Sequence, residues 1–337
     1  MKYIYHLLLL CCYGSLFAQE GKVYEEKPLF SSHDLLVLTL SFDKEALLSD
    51  RGEEPSYHEA ILSYTDAEGK VIKLEAKVRA RGNTRREAYT CNFPPLRINF
   101  PKKKVQNTLF HGQNKLKMVT HCQKESYILK EYLVYRTYNL LTSYSFQVRL
   151  SRITYVDNKG TYPDETKYSF FIEDEHELAA RNGGEIVKEE IRVKPQEAEP
   201  EPMRINYVFQ YMTGNKDYEV SFHRNTKIIT AADAEAPIAV PYDFDRASVV
   251  DVAYAKASWQ NKKISNRVFR HLCPSESEIK GTFAHFNSKK IAILELIDNF
   301  NYLTLEGRKE MNKYFKEFFK LIAKKKTLTT DFLSNCK

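Results

Sequence analysis

Three aspartates are the residues of this chain whose order and surroundings could support a chemical reaction. Asp217 closes the turn-forming run GNKD, and an apolar stretch further along the chain ends in YDFD, which supplies Asp243 and Asp245. Phosphoryl transfer requires one carboxylate that orients the attacking hydroxyl and a separate one that holds a divalent metal on the phosphates. A single acid in a turn, followed by paired acids at the end of a strand, predicts this division of roles.

Each aspartate also has a purely structural interpretation. Asp217 could be an ordinary turn residue, because Gly, Asn and Asp all favour turns. Asp243 could cap the segment that follows it, and Asp245 could pair with Arg246 at the surface. Since Asp217 precedes the pair in the order that the reaction needs, we expect Asp243 to bind a metal, with Asp245 as its second ligand.

Phosphoryl transfer also needs a cation beside the phosphates. Arg97 alternates with apolar Leu96 and Ile98 on a predicted strand, and Glu131 on the following predicted helix could pair with it. Arg81 is a competing candidate. The alternative for both arginines is a solvated charge on the face of a strand.

The elements around these residues divide the chain in two. Alternating apolar residues predict strands in the first half, with one helical pattern among them at 126–142. Residues 25–175 are therefore expected to form a β-rich lobe that carries a single long helix. The predicted strands span residues 35–42, 71–81, 96–100, 146–156 and 168–172.

The second half, residues 176–337, is expected to be mainly helical. Residues 305–326 place an apolar stripe opposite a lysine-rich face, as in an amphipathic helix packed on a core. Residues 188–203 are rich in Glu and Pro, and this composition predicts an exposed loop. Together the two halves predict an α+β fold with two lobes.

The amino terminus has the pattern of an export signal. Lys2 precedes an apolar stretch over residues 4–17 that is too short to span a membrane, and a cut after Ala18 would remove it. We therefore predict a signal peptide at 1–18 and a secreted or periplasmic protein without a transmembrane segment. Loss of Lys2 lowers the formal net charge of +7 by one, and the mild excess of basic residues does not indicate nucleic-acid binding.

The cysteines are candidates for disulfides, since an exported protein folds in an oxidising compartment. Two of the six cysteines lie in the predicted signal peptide, and no Cys/His spacing typical of zinc is present. We expect at least one disulfide, most of all Cys273 to Cys336. A pairing of Cys91 with Cys122 and of Cys273 with Cys336 keeps each bond within its own half, although four cysteines allow three pairings. The four cysteines that follow the signal peptide are Cys91, Cys122, Cys273 and Cys336.

Four short motifs, in their order, resemble the spore-coat CotH kinase family, an atypical branch of the protein-kinase-like fold. They are RGNT at 81–84, FFIE at 170–173, GNKD at 214–217 and YDFD at 242–245. The similarity covers roughly residues 75–250. It implies a kinase-like two-lobed fold that uses ATP with Mg²⁺ or Mn²⁺ to phosphorylate hydroxyls of a protein substrate.

The same resemblance assigns roles to further residues. It implies that Asp217 is the catalytic carboxylate and that Arg81 covers the phosphates of the nucleotide. Glu173 would lie at an adenine-binding hinge, where a structural role is also open. Typical kinases hold a second metal with an Asn five residues after the catalytic Asp; here Phe222 stands there, and Ser221 or Asn225 would have to replace it.

Two other functional classes remain open from the sequence. The first is a catalytically inactive module that keeps the kinase-like fold for surface or periplasmic binding, which Phe222 favours. The second is a metal-dependent hydrolase built on Asp243 and Asp245. The hydrolase lacks further acid or His ligands within reach in the sequence.

Overall fold

The computed structural model describes residues 24–257, 267–269 and 272–334. The described chain is a mixed α/β structure, in which a large sheet is followed by a small hairpin and a group of helices. The strands are β1 (Leu36–Phe42), β2 (His58–Thr65), β3 (Val71–Ala80), β4 (Leu96–Asn99), β5 (Lys115–Val119), β6 (Val148–Asp157), β7 (Glu165–Ile172), β8 (Thr226–Ile229) and β9 (Ile238–Pro241).

Helices α2, α4, α6 and α7 are the long ones, and short 3₁₀ turns lie between several strands. A π-helical turn at Leu328–Leu333 follows the last short helix. The helices are α1 (Lys44–Ser49), α2 (Glu125–Leu141), α3 (Glu175–Arg181), α4 (Pro200–Thr213), α5 (Ala253–Ala257), α6 (Glu276–Asp298), α7 (Leu305–Ile322) and α8 (Lys325–Thr327).

The first seven strands close into a barrel in the order β1-β2-β3-β4-β5-β7-β6. Antiparallel pairs build most of the barrel, and a parallel pairing of β1 with β6 closes it, from Leu36 opposite Ser151 to Phe42 opposite Asp157. The period-two alternation sends one side chain in two inward, so that Leu40, Phe42 and Val78 are fully buried. The sequence predicted strands here but not their closure.

A second apolar core lies outside the barrel, between α2 and the helices of the second half. Helix α2 is buried on almost all sides, because it contacts β7 on one side and α6 on the other. Its Tyr132 and Tyr135 pack against Phe170 of β7, and Tyr138 packs against Phe209 of α4. The helix predicted inside the β-rich half is confirmed, but it belongs to the core of the second half.

The predicted exposed loop at 188–203 is partly wrong. Helix α4 begins at Pro200, and Met203 is 1 % exposed in the outer core. Val193 and Ala198 are buried as well. Proline is favoured in the first turn of a helix because its fixed φ suits the turn and its missing N–H has no intrahelical acceptor there, so the prolines that suggested a loop in fact open a helix.

The amphipathic helix predicted near the carboxyl end is confirmed as α7, although it ends at Ile322. Its buried face includes Met311, Phe315 and Phe318, which pack on α6 and α4. Within the described ranges, no helix is long and apolar enough to span a bilayer. The predicted signal peptide at 1–18 lies outside the described residues.

Candidate active site

A cleft of about 330 Å³ separates the barrel from the β8–β9 hairpin. It brings together residues from all four motifs singled out in the sequence. The FFIE strand contributes only Ile172. The cleft is lined by residues 81–85, Pro95, Lys117, Val119, Phe146, Ile172, Asp217, Arg224, Asn225, Tyr242, Asp243, Asp245 and Arg246.

Asp243 lies two residues after the end of the buried strand β9 and has a left-handed backbone conformation, with φ of +60°. Such a φ is uncommon for a residue with a side chain, although Asp tolerates it better than most. The amide of Asp243 donates a hydrogen bond to the hydroxyl of Tyr135 at 2.7 Å. The next residue, Phe244, is fully buried, so the turn keeps Phe244 in the core and leaves Asp243 exposed in the cleft.

Asp245 is the buried member of the pair. Its Oδ2 accepts a hydrogen bond from the Tyr254 hydroxyl at 2.8 Å. Burial and the nearby Asp243 raise the pKa of Asp245 to about 6, against the opposing effect of Arg85. Two carboxylates this close, one of them buried, form a site that favours a bound cation.

Arg85, from the turn that follows β3, forms the buried ion pair of the site. Its Nη1 lies 3.2 Å from Oε2 of Glu131 on α2, and its Nη2 donates to the carbonyl of Thr120 at 2.7 Å. Burial raises the pKa of Glu131 well above its usual range, while Arg85 works against that rise. Burial alone would lower the pKa of Arg85, but Tyr254 and Glu131 raise it.

The predicted pairing of Arg97 with Glu131 is wrong, because Arg85 takes that place. Arg97 is on β4 opposite Arg79 of β3 and Lys117 of β5, with its side chain on the outer face of the barrel. It lines a neighbouring groove rather than the cleft. Helix α2 approaches the β3–β4 connection instead of β4 itself, and the sequence alone did not predict that contact.

Arg81 lies in the cleft, as predicted. Burial lowers the pKa of its guanidinium group, whereas Asp243 raises it. The two side chains therefore interact across the cleft, one from the end of β3 and the other from the end of β9. An anion bound beside Arg81 would lie next to the carboxylate pair.

Lys117 of β5 is a second cation that the sequence analysis missed. It is buried and forms an ion pair with Glu175 in the first turn of α3. Burial lowers the pKa of Lys117. Burial alone would raise the pKa of Glu175, but Lys117 lowers that pKa to about 2. The pattern that could have indicated Lys117 is KLKM at 115–118, in which Lys alternates with apolar residues.

Asp217 occupies the other wall of the cleft, in a turn that follows α4. Gly214 ends the helix in the left-handed conformation, and the amide of Asp217 donates to Oδ1 of Asn215 at 3.0 Å. Its carboxylate faces two arginines, with Oδ2 at 3.6 Å from Nε of Arg246 and Oδ1 at 3.8 Å from Nε of Arg224. Asp217 therefore lies in a turn and lines the same cleft as Asp243 and Asp245.

Ser221 does not line the cleft, whereas Asn225 does. A bridge between Glu219 and Arg224 closes a short turn, and Ser221 lies at the tip of that turn. Asn225 follows the bridge and donates from Nδ2 to the carbonyl of Asp217 at 2.6 Å. Phe222 is 63 % exposed and lies 4.7 Å from the guanidinium of Arg192, away from the acids.

Glu173 is buried outside the cleft. Its carboxylate accepts hydrogen bonds from the amide of Gln147 at 2.9 Å and from Nε of Arg181 at 3.0 Å. These contacts connect the end of β7 to the start of β6 and to α3. Glu173 therefore has a structural role, which was one of the two roles that the sequence left open.

A disulfide between Cys91 and Cys122 spans the region of Arg85. Cys91 follows the turn that carries Arg85, and Cys122 comes two residues after Thr120, whose carbonyl Arg85 contacts. The prediction of at least one disulfide is therefore consistent with the structure. Cys273 is exposed, and its predicted partner Cys336 lies outside the described residues.

The acids of the cleft suit a magnesium ion that is shared with a ligand. No group of three or more His, Cys, Asp or Glu side chains suited to a metal occurs in the described part of the chain. Mg²⁺ is commonly held by one or two carboxylates, with substrate phosphates and water completing its shell. Asp243 and Asp245 would supply the carboxylates of such a shell. A phosphate bound beside Arg81 could supply further oxygen ligands.

Comparisons with known proteins leave the family open. No family model matches the chain, and no curated protein matches it. The chain is similar to the crystal structure of a Helicobacter pylori proinflammatory kinase, CtkA, with 10 % sequence identity over 66 % of this chain and 89 % of that one. The TM-score is 0.38. A similarity of this size establishes neither family nor activity, so the functional case depends on the cleft.

Proposed function

We propose that this protein is a kinase-like phosphotransferase that uses ATP and Mg²⁺ or Mn²⁺ to phosphorylate hydroxyls of a protein substrate. The supporting observation is the cleft, where Asp217 faces the Asp243 and Asp245 pair and Arg81 lies beside them. Phosphoryl transfer depends mainly on positioning and on neutralising phosphate charge. A two-lobed kinase-like arrangement, with the barrel above the cleft and the helices below it, is part of the proposal.

Asp243 and Asp245 would hold the metal, which neutralises charge on the phosphates when it is bound. Arg81 is placed to contact the phosphates directly. Lys117 adds a second positive group on the barrel wall, shared with Glu175. The buried pair of Arg85 with Glu131 would then have the supporting role that the Lys–Glu pair has in protein kinases, because it joins α2 to the loop beside the phosphates.

Asp217 would orient the acceptor hydroxyl. In the reaction, the bond between the γ-phosphorus and its bridging oxygen breaks while the acceptor oxygen bonds to that phosphorus. The hydroxyl proton passes to the Asp217 carboxylate. Arg246 contacts this carboxylate and also donates to the Thr84 hydroxyl at 3.2 Å, so it fixes the acid relative to the loop that covers the phosphates.

Export supports a protein acceptor outside the cytoplasm. The predicted signal peptide precedes the described chain, and the Cys91–Cys122 disulfide suits an oxidising compartment. The proposed location is therefore secreted or periplasmic. Glu173 and Ser221 have no part in this proposal, because neither lines the cleft.

A catalytically inactive binding module is the second candidate. Two arginines flank Asp217, and the position of the usual second metal ligand is the exposed Phe222. Both observations would fit a cleft that binds an anionic ligand without transferring phosphate. Such a module would bind nucleotide or another anion and show no transfer.

Thermal denaturation with ATP and Mg²⁺ or Mn²⁺ tests the proposal. A ligand that binds only the folded state stabilises it by about 3 kcal/mol at a hundredfold excess over Kd. We expect the melting temperature to rise with nucleotide and metal together, and to rise less with either alone. Absence of any shift over millimolar concentrations would contradict nucleotide binding, while a shift without phosphate transfer to any protein would favour the inactive module.

A further inference from the structure

A second groove, of about 500 Å³, adjoins the cleft on the outer face of the barrel. It shares Arg81 and Gly82 with the cleft, so the two are continuous across the β3–β4 connection. Four arginines and two glutamates contribute to its walls. We call it the arginine groove and define it by Arg79, Arg81, Arg86 and Arg97.

The strand register places two of these arginines side by side. Arg79 of β3 is directly opposite Arg97 of β4, and their neighbours Val78, Ala80 and Leu96 are buried inside the barrel. Both guanidinium groups therefore lie on the outer face. Like charges directly opposite each other on a sheet are destabilising, so this pair costs stability unless an anion binds beside it.

Arg79 and Arg97 lack the acidic partners that other basic residues on this sheet have. Lys77, two residues before Arg79, lies 2.7 Å from Glu59, and Lys117, opposite Arg97, pairs with Glu175. In the described chain, neither Arg79 nor Arg97 forms an ion pair, and the Nε atom of each is shielded from solvent without a hydrogen-bond partner. Their charge is thus available to a ligand.

Two contacts hold the groove in shape. The guanidinium of Arg79 lies 4.8 Å from the ring centre of Tyr57, and Nη1 of Arg86 donates to the carbonyl of Glu53 at 2.9 Å. Glu53 and Glu54 also line the groove, and with four arginines against two glutamates the lining keeps an excess of positive charge. Prepositioned arginines lose less entropy when they bind carboxylates or phosphates.

We infer that the arginine groove binds an acidic segment of the polypeptide acceptor. The groove adjoins the cleft at Arg81 and Gly82, and the cleft contains Asp217 and Asp243. Carboxylates seated on Arg79 and Arg97 would bring a neighbouring hydroxyl toward the cleft. The role as an acceptor site depends on the proposed function, whereas the binding itself does not.

Fluorescence anisotropy without nucleotide tests the binding. The probe is a labelled peptide with one serine and a run of glutamates, compared with the same peptide carrying glutamines. We expect the acidic peptide to bind about five- to thirtyfold tighter, because two charge pairs of the strength usual for exposed pairs give that factor. Its affinity should fall as salt is raised, since these charges are partly exposed.

Variants locate the site. Arg79→Gln/Arg97→Gln should weaken acidic-peptide binding by about tenfold on the same arithmetic. Lys73→Gln/Lys115→Gln removes as many charges from β3 and β5 of the same barrel, away from both grooves, and should change the affinity less than about twofold. Both double variants alter exposed or half-buried side chains, and melting temperatures at or above the wild-type value would show that both remain folded.

Several outcomes would overturn the inference. Equal affinity for the acidic and glutamine peptides would do so, as would equal losses in the two double variants. Tighter binding of a single-stranded oligonucleotide of the same charge would assign the groove to nucleic acid instead. Because the titration contains no nucleotide, peptide binding without any nucleotide-induced thermal shift would retain the groove and reject the kinase, and the reverse result would reject the groove alone.

Discussion

The hydroxyl of Tyr135 accepts a hydrogen bond from the backbone amide of Asp243 at 2.7 Å. One turn earlier on α2, Glu131 holds Arg85. Residues four apart lie on the same face of a helix, so a single face of α2 supports both the acids and the basic loop of the cleft. The position of this helix therefore sets the distance between the two halves of the site.

Tyr135→Phe should weaken metal-dependent nucleotide binding without abolishing it. The substitution leaves the Asp243 amide without its acceptor in a part-buried hydrogen bond, which costs about 0.5 to 1.5 kcal/mol, and it removes the contact that holds the turn on α2. Isothermal titration would measure the affinity, and urea denaturation the stability. Tyr138→Phe is the matched control, because Tyr138 packs against Phe209 away from the acids. Unchanged affinity in Tyr135→Phe would show that the turn needs no support from α2.

Asp243→Ala and Asp217→Ala should separate metal binding from acceptor activation. Asp243→Ala should abolish metal-dependent nucleotide binding and transfer together, because the phosphates lose their counter-ion. Asp217→Ala should still bind nucleotide, while transfer falls by about 10² to 10⁴, the usual contribution of a positioned general base. Nucleotide affinity and phosphate transfer are measured on both. Equal loss of affinity in the two variants would contradict distinct roles.

Glu131→Ala should destabilise the protein strongly. It leaves Arg85 buried without its carboxylate, and breaking a buried pair in this way costs about 3 to 5 kcal/mol. Glu59→Ala is the control, since its pair with Lys77 is exposed and such pairs contribute about 0 to 1 kcal/mol. Urea denaturation measures the free energy of unfolding of Glu131→Ala and Glu59→Ala. Similar small effects in both variants would mean that the buried pair contributes little to stability.

The disulfide between Cys91 and Cys122 should stabilise the fold by about 3 to 4 kcal/mol in the chain-entropy model, given the size of the loop it closes. Cys91→Ser/Cys122→Ser should lose that amount and bind nucleotide less tightly, because the loop with Arg85 is no longer tethered. Thiol counting on the denatured, unreduced protein tests the bond itself. Two free thiols in the mature wild type and two in Cys91→Ser/Cys122→Ser would together assign the bond to Cys91 and Cys122 and exclude the predicted pair of Cys273 with Cys336.

Stability should depend on acid pH through Glu175. Its pKa is about 2 in the folded protein, because Lys117 lowers it despite burial, and it lies near 4.3 in the unfolded chain. A carboxyl whose pKa is lower in the folded state stabilises the protein at pH values above its pKa in the unfolded chain. This stabilisation is lost as the pH falls from about 4.5 to about 2. Glu175→Gln should therefore be less stable than wild type at pH 7, by about 2 to 3 kcal/mol, and nearly equal at pH 2. A constant difference across that range would contradict the assignment.

Local patterns predicted the acids of the site well. Asp217 and Asp243 follow from turn chemistry and from a strand end, which depend on neighbours in sequence. Arg85 did not follow, because its partner Glu131 is determined by the way α2 docks against the β3–β4 connection. No local pattern measures that docking, and Arg97 was the more regular candidate on its strand.

The same distinction applies to the fold. Alternation predicted β1 and β3, and helical periodicity predicted α2 and α7, because each pattern spans a whole element. Closure of the barrel required the parallel pairing of β1 with β6, which joins segments far apart in sequence. The start of α4 was missed because proline is common both in loops and in the first turn of a helix, where Pro200 lies.

The pairing of β1 with β6 also restricts how partners can be recognised. In a closed barrel each strand has a neighbour on both sides, so the backbone hydrogen bonds of the residues paired on both sides are already made. At those residues an extended peptide cannot attach as an additional strand, which is a common way for proteins to bind peptides. Selectivity for a polypeptide at this part of the barrel must then come from side chains on its outer surface, and substitutions there could change the partner without disturbing the fold.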